Sequence, residues 1–87
     1  MYLFLVYDIS ESNVVKVLKL CRMYLTHVQN SVFEGEITES NLKSLKSSLR
    51  KIIDKEKDSV MIYHLRSKSL FKKEILGIEK NSVENII

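Results

Sequence analysis

The stretch YLFLVYDIS, residues 2–10, decides the fold of this chain. Residues 2–7 are all apolar or aromatic, and Asp8 follows them directly. A continuous apolar run with aromatic enrichment is typical of a central β-strand that is covered on both faces. The sequence therefore predicts a first strand over residues 2–8 that ends on a carboxylate.

The composition indicates one small domain. The chain has 87 residues and a net charge of +3, which mildly favours a polyanionic partner. Its single cysteine, Cys21, excludes an internal disulfide and a cysteine zinc cluster, and it fits a reducing cytosol. Because no apolar run approaches the roughly 20 residues that span a bilayer, we expect a cytoplasmic protein with no membrane partner.

Apolar spacing and turn residues predict the remaining elements. We expect a helix over about residues 13–25 and then two short strands within residues 26–37, which turn at Asn30 and Ser31. Thr38 is expected to open a second helix. Two further strands are expected, over residues 59–65 and 70–78. This order is the ferredoxin-like pattern of an α+β fold, βαββαβ with an extra C-terminal strand, in which two helices cover one face of an antiparallel sheet.

The other face of such a sheet has no cover within the chain. Because strand one is apolar on both faces, we expect a homodimer that forms through this sheet face. We assign residues 1–78 to the ferredoxin-like domain and residues 79–87 to a C-terminal tail. The tail is expected to pair with the partner subunit at an edge of its sheet.

Three segments carry a resemblance to a known family. They are VYDIS (residues 6–10), VQNSVFEGEIT (residues 28–38) and DSVMIYHL (residues 58–65). In order and spacing they resemble the small CRISPR-associated subunit of spacer acquisition, the second core protein and the partner of the CRISPR integrase. The resemblance implies a homodimer of antiviral defence, in a family whose members act in many cases as metal-dependent endonucleases on RNA or double-stranded DNA. It also implies a complex with the integrase that captures foreign DNA.

The resemblance also implies a site. Asp8 matches the family's proposed Mg²⁺ ligand, one from each protomer facing across the two-fold axis. Tyr7 and Phe33 match aromatic positions near that site. His27 stands where many members of the family have an arginine.

The residues alone leave two interpretations of Asp8. It is either a strand-end carboxylate in water or a ligand of a metal ion. Mg²⁺ binds one or two carboxylates together with waters and substrate phosphates, so one Asp8 makes a poor site and two make an adequate one. Such an ion would polarise a phosphoryl oxygen and activate a water, which is the chemistry of a Mg²⁺-dependent phosphodiesterase.

Three polar residues of the middle segment are secondary candidates. His27 is either a phosphate contact or a structural histidine, and the second role is the more common one for a lone histidine in a strand. Gln29 and Ser31 either position a water or phosphate or hold the turn between the two short strands.

Basic residues recur on both predicted helices. They are Lys16, Lys19, Arg22, Lys43, Lys46 and Arg50. Such stripes bind the phosphate backbone without reading its sequence, although an ordinary solvated face has the same composition. Three functions stay open: a metal-dependent endonuclease, a non-catalytic DNA-binding adaptor that bridges integrase dimers, and a stand-alone toxin-like ribonuclease.

Overall fold

The computed structural model describes residues 1–66 and 74–77, and in this part of the chain six elements follow one another in the predicted order. They are β1 (Tyr2–Asp8), α1 (Glu11–Arg22), β2 (Thr26–Gln29), β3 (Val32–Glu36), α2 (Glu39–Ile52) and β4 (Ser59–Leu65).

The strands form one antiparallel sheet in the order β2-β3-β1-β4. β1 lies in the centre, as its apolar sequence predicts, and the α+β ferredoxin-like fold is confirmed. Of the strand predicted over residues 70–78, residues 74–77 form no strand, and the others lie outside the described residues. The predicted tail, residues 79–87, lies outside them as well.

The core lies between the sheet and the two helices. Leu3, Leu5 and Tyr7 alternate along β1 and are buried there together with Phe33 of β3. The helices contribute Val17, Cys21, Leu42, Leu45 and Leu49. Complete burial of one such large apolar side chain stabilises a protein by about 1.5–3 kcal/mol, so this small set supplies much of the driving force for folding.

The first helix begins and ends earlier than predicted: α1 covers Glu11–Arg22 rather than residues 13–25. It begins earlier because Ser10 is the N-cap and its carbonyl accepts amides of the first turn. After the helix the chain closes in a turn, in which the Leu25 amide donates to the Cys21 carbonyl at 2.9 Å. Leu25 is still buried, so the apolar periodicity continues past the last helical residue.

The second helix begins as predicted. The Thr38 side chain accepts the Asn41 amide at 3.1 Å, a cap that typically contributes about 1 kcal/mol. Neither helix in the described part of the chain is long and apolar enough to cross a membrane.

Candidate functional site

Asp8 is the last residue of β1, and its side chain is exposed. Successive side chains of a strand point to opposite faces. Since Leu3, Leu5 and Tyr7 point into the core, Asp8 lies on the face that the helices do not cover. Its partner across the β1–β4 ladder is Ser59, the first residue of β4.

Asp8 stands at the end of an apolar surface, which we call the open sheet face. The residues of this surface are Phe4, Val6, Val32, Met61 and Tyr63. The Phe4 and Tyr63 rings lie 6.3 Å apart, and Met61 and Tyr63 are 49% and 52% exposed. No helix among the described residues covers the open sheet face, as the sequence predicts.

The far end of the same face carries a buried polar pair. The Tyr2 hydroxyl donates to Oε2 of Glu34 at 2.9 Å, and both side chains are buried. Burial, and then the hydrogen bond to the Glu34 carboxylate, raise the pKa of Tyr2 to about 12. Glu34 is therefore satisfied, and it adds a directional contact to an otherwise apolar surface.

The two aromatic residues predicted near Asp8 lie on the opposite face. Tyr7 is 6% exposed and Phe33 is fully buried, and their rings stack at 6.1 Å within the core. Burial raises the pKa of the Tyr7 hydroxyl. Both rings pack in the core beneath the end of β1. Their rings therefore do not share the face on which Asp8 lies.

His27 is held by its neighbours in the β2–β3 hairpin. Its ring stacks on Phe33 at a centroid distance of 4.6 Å. Nε2 donates to the Asn30 carbonyl, which leaves Nδ1 as an acceptor 3.5 Å from Nη2 of Arg22. These contacts favour the structural role for His27, because its ring already braces a turn in which Asn30 has a φ of +40°.

Gln29 and Ser31 flank that turn. The Ser31 carbonyl accepts the Tyr7 amide at 3.0 Å, so the turn is fixed beside the end of β1. Gln29 is exposed at the end of β2 and pairs with Val32, which pairs in turn with Val6 of the open sheet face. Two strand spacings are about 10 Å, so Gln29 shares the face of Asp8 without direct contact.

One residue at this end of the sheet, Asp58, is not among the candidates that the sequence indicated. Asp58 is only 8% exposed. Its Oδ1 accepts the Ser10 amide at 2.7 Å, and its Oδ2 accepts Nδ2 of Asn13 at 3.2 Å and the Asp54 amide at 2.8 Å. The backbone hydrogen bonds from Asp54 and Ser10 lower the pKa of Asp58 to about 2. No local pattern signals the bonds from Ser10 and Asn13, because these residues lie 48 and 45 positions away from Asp58 in the chain.

The basic residues lie on both helices. On α1, the side chains of Lys16, Lys19 and Arg22 are exposed. On α2, the side chains of Lys43, Lys46 and Arg50 line a shallow groove together with Met1 at the start of the chain. The groove residues are Met1, Glu39, Leu42, Lys43, Lys46 and Arg50. Met1, at one end of this groove, precedes β1, which is about 20 Å long and ends at Asp8, whereas Arg50 lies in the last turn of α2.

One chain offers few ligands for a metal ion. Within residues 1–66 and 74–77, no group of three or more His, Cys, Asp or Glu side chains is arranged to hold one. Asp8 is exposed and carries the ligand type that Mg²⁺ prefers. The residues present therefore fit Mg²⁺ when a second Asp8 is brought alongside the first.

Comparison with known proteins identifies the family. A family model described as CRISPR associated protein Cas2 matches residues 1–73. The chain belongs to the Cas2 family. Cas2 proteins are components of CRISPR systems, and the family predicted from the three sequence segments is confirmed.

Relatives and solved structures of the Cas2 family agree with this assignment. The protein named CRISPR-associated endoribonuclease Cas2 from Pyrococcus furiosus is 53% identical over 87 residues, which are 100% of both chains. A solved structure described as the crystal structure of cas2 has a TM-score of 0.86 at 41% identity and covers 100% of this chain and 98% of that one. The Streptococcus pyogenes Cas2 structure at pH 6.5 has a TM-score of 0.79 at 34% identity and covers 88% and 100%.

Proposed function

We propose that this Cas2 protein is a Mg²⁺-dependent endonuclease that cleaves RNA or double-stranded DNA as a homodimer. The two Asp8 carboxylates of the dimer hold one metal ion. The dimer acts in the cytoplasm with the CRISPR integrase during spacer acquisition, in defence against viruses. The single observation that carries the proposal is the exposed carboxylate of Asp8 at the end of an apolar sheet face that no described helix covers.

The open sheet face supports the homodimer. A chain of 87 residues buries only about 60–65% of the surface that it exposes when unfolded, so its own core is thin. Large exposed apolar patches on small proteins mark interaction sites. A second copy that packs face to face buries Phe4, Met61 and Tyr63 and carries its own Asp8 to the same interface.

The geometry of Asp8 supports the chemistry. Mg²⁺ supplies a Lewis acid for a phosphoryl oxygen and lowers the pKa of a bound water. Asp8 provides its carboxylate oxygens from the end of a hydrogen-bonded strand, where pairing with Ser59 limits the motion of the backbone. The names of the relatives, which call them endoribonucleases, support RNA as a substrate.

The exposed cations support binding of a nucleic acid backbone. Lys16, Lys19 and Arg22 on α1 add positive charge to one surface, and the α2 groove adds it to another. Contacts of this kind bind phosphates in a salt-dependent way and carry little sequence information.

The proposal is tested by replacing Asp8 with Ala and with Asn. Cleavage of an RNA and of a DNA duplex is measured across a Mg²⁺ titration and with a chelator. We expect both variants to lose metal-dependent cleavage by 100-fold or more while they keep the wild-type dimer. Asp54→Asn, which changes an exposed acid in the loop between α2 and β4, serves as the matched control. Cleavage that survives in Asp8→Ala removes Asp8 from the mechanism.

A second function is favoured by one observation, the absence of further acidic ligands beside Asp8 among the described residues. In this function the dimer is a non-catalytic, DNA-binding adaptor between integrase dimers. Spacer integration with the integrase distinguishes the two. If Asp8→Ala integrates spacers at the wild-type rate but does not cleave, the protein acts as an adaptor in spacer acquisition. If Asp8→Ala loses both integration and cleavage, spacer acquisition requires cleavage.

A further inference from the structure

We propose that Asp58 is a positioning residue for Asp8: it holds the chain that leaves β1, so that the Asp8 carboxylate keeps one place at the end of the open sheet face. The inference rests on the proposed function, because it concerns how Asp8 is presented to a metal ion. The Asp58 carboxylate itself is directed to Ser10, Asn13 and Asp54.

The bonds of Asp58 extend the strand pairing past its last backbone pair. Asp8 and Ser59 are the final partners in the β1–β4 ladder. The next residues, Ile9 and Asp58, are not paired by backbone, and Oδ1 of Asp58 takes the Ser10 amide at 2.7 Å instead. Strand ends fray when nothing ties them down. Asp8 is therefore held by its own strand pairing with Ser59 and, two residues later, by the bond between the Asp58 carboxylate and the Ser10 amide.

Asp58 ties together two loops that meet at this end of the sheet. Oδ2 accepts the Asn13 side chain from the first turn of α1 and the Asp54 amide from the α2–β4 loop. A functional carboxylate has to be held within roughly 0.5 Å of its working position by its surroundings. Because Asp58 is buried and accepts three hydrogen bonds, it provides such support next to Ser59, the strand partner of Asp8.

The replacement Asp58→Asn tests the role with little change in volume. Its oxygen can still accept the Ser10 amide, but its NH₂ group then faces Nδ2 of Asn13 and the Asp54 amide, which are both donors. The chain offers a matched control in the same loop. Asp54→Asn makes the same change of charge, and Oδ1 of Asp54 serves only the Glu56 amide among the hydrogen bonds of the described residues.

Two quantities test the role. The first is the Kd for Mn²⁺ binding to the dimer, measured by electron paramagnetic resonance, which does not depend on activity. The second is the Mg²⁺ concentration that half-saturates cleavage. Loss of a residue that orients a metal ligand typically lowers metal affinity 10- to 100-fold. We expect Asp58→Asn to raise the Kd for Mn²⁺ and the half-saturating Mg²⁺ about 10-fold, with kcat at saturating metal within about 3-fold of wild type. Asp54→Asn should match wild type in both.

A second pair of variants keeps the test decisive if Asp58→Asn does not fold. Asn13→Ala leaves the Asp58 charge and its two backbone donors in place, and we expect a rise of about 3-fold in the Kd for Mn²⁺. Asn13→Asp combined with Asp58→Asn exchanges donor and acceptor and should recover part of the lost affinity.

The outcomes separate this inference from the proposed function. A folded Asp58→Asn dimer with the wild-type Kd for Mn²⁺ overturns the positioning role and leaves the function of Asp8 intact. If Asp58→Asn fails to fold, an unchanged Kd in Asn13→Ala overturns it equally. Wild-type protein that binds no Mn²⁺, or an Asp8→Ala variant that binds it equally well, overturns both.

Discussion

Tyr7 and Asp8 are consecutive residues of β1 that lie on opposite faces of the sheet. Tyr7 is 6% exposed and stacks on Phe33 in the core, whereas Asp8 is exposed beside the open sheet face. Because successive side chains of a strand point to opposite faces, these two neighbouring residues have different roles. Tyr7 serves stability, and Asp8 is available for chemistry.

Replacement of Tyr7 by Ala is expected to destabilise the protein without a specific effect on metal binding. Removal of a buried aromatic ring typically lowers the free energy of unfolding by about 3–5 kcal/mol. Asp8→Ala, at an exposed position, should change it by less than about 0.5 kcal/mol. Urea unfolding of both variants measures the difference. A Tyr7→Phe variant that keeps full stability but loses cleavage would show that the Tyr7 hydroxyl takes part in the reaction.

A charge placed on the open sheet face should dissociate the dimer. Met61 is 49% exposed there, and Val15 on α1 is 55% exposed and offers a matched control. We expect Met61→Glu to be monomeric at micromolar concentration, because a carboxylate in an apolar interface is costly to desolvate. Val15→Glu should remain dimeric. Light scattering after gel filtration measures both masses, and a dimeric Met61→Glu protein would place the interface elsewhere.

The low pKa of Asp58 predicts a loss of stability in acid. Its pKa in the folded protein is about 2, against an ordinary value of 3.8. A lowered pKa stabilises the folded state above the unfolded value, and this contribution is lost as the pH falls through the folded value. The difference in free energy of unfolding between wild type and Asp58→Asn should therefore be constant above about pH 5 and shrink between about pH 4 and pH 2. A difference that does not depend on pH would contradict the ionised state of Asp58.

The α2 groove is expected to bind phosphates. Lys43→Gln removes one of its cations, and Lys55→Gln removes an exposed cation of the α2–β4 loop as a control. Loss of one phosphate contact reduces the slope of log affinity against log salt by about 1. Fluorescence anisotropy with a DNA duplex at several salt concentrations measures the slope. Equal slopes for Lys43→Gln and wild type would leave the groove as an ordinary solvated surface.

Local patterns predicted most of the fold and the place of Asp8. The apolar run before Asp8 marks a central strand, and Thr38 marks a helix start, because each signal depends on adjacent residues. The end of α1 was predicted too late, since Leu25 continues its apolar stripe into a turn. The role of Asp58 depends on a donor 48 residues away and could not be predicted from the loop sequence alone.

The orientation of Tyr7 shows a different limit. Alternation along the predicted strand places Tyr7 and Asp8 on opposite faces, but a strand that is apolar on both faces does not indicate which of the two faces the helices will cover. Packing of Tyr7 against Phe33 decides the matter, and it depends on how residues 26–37 fold back onto β1.

The stoichiometry of Mn²⁺ binding tests most directly whether two Asp8 residues hold one ion. Wild-type protein is titrated with Mn²⁺ at a concentration at which it is fully dimeric, and bound ions are counted per chain. We predict one Mn²⁺ for two chains, and none at that site in Asp8→Asn. One Mn²⁺ for each chain, or binding that Asp8→Asn leaves unchanged, would contradict a site shared across the dimer.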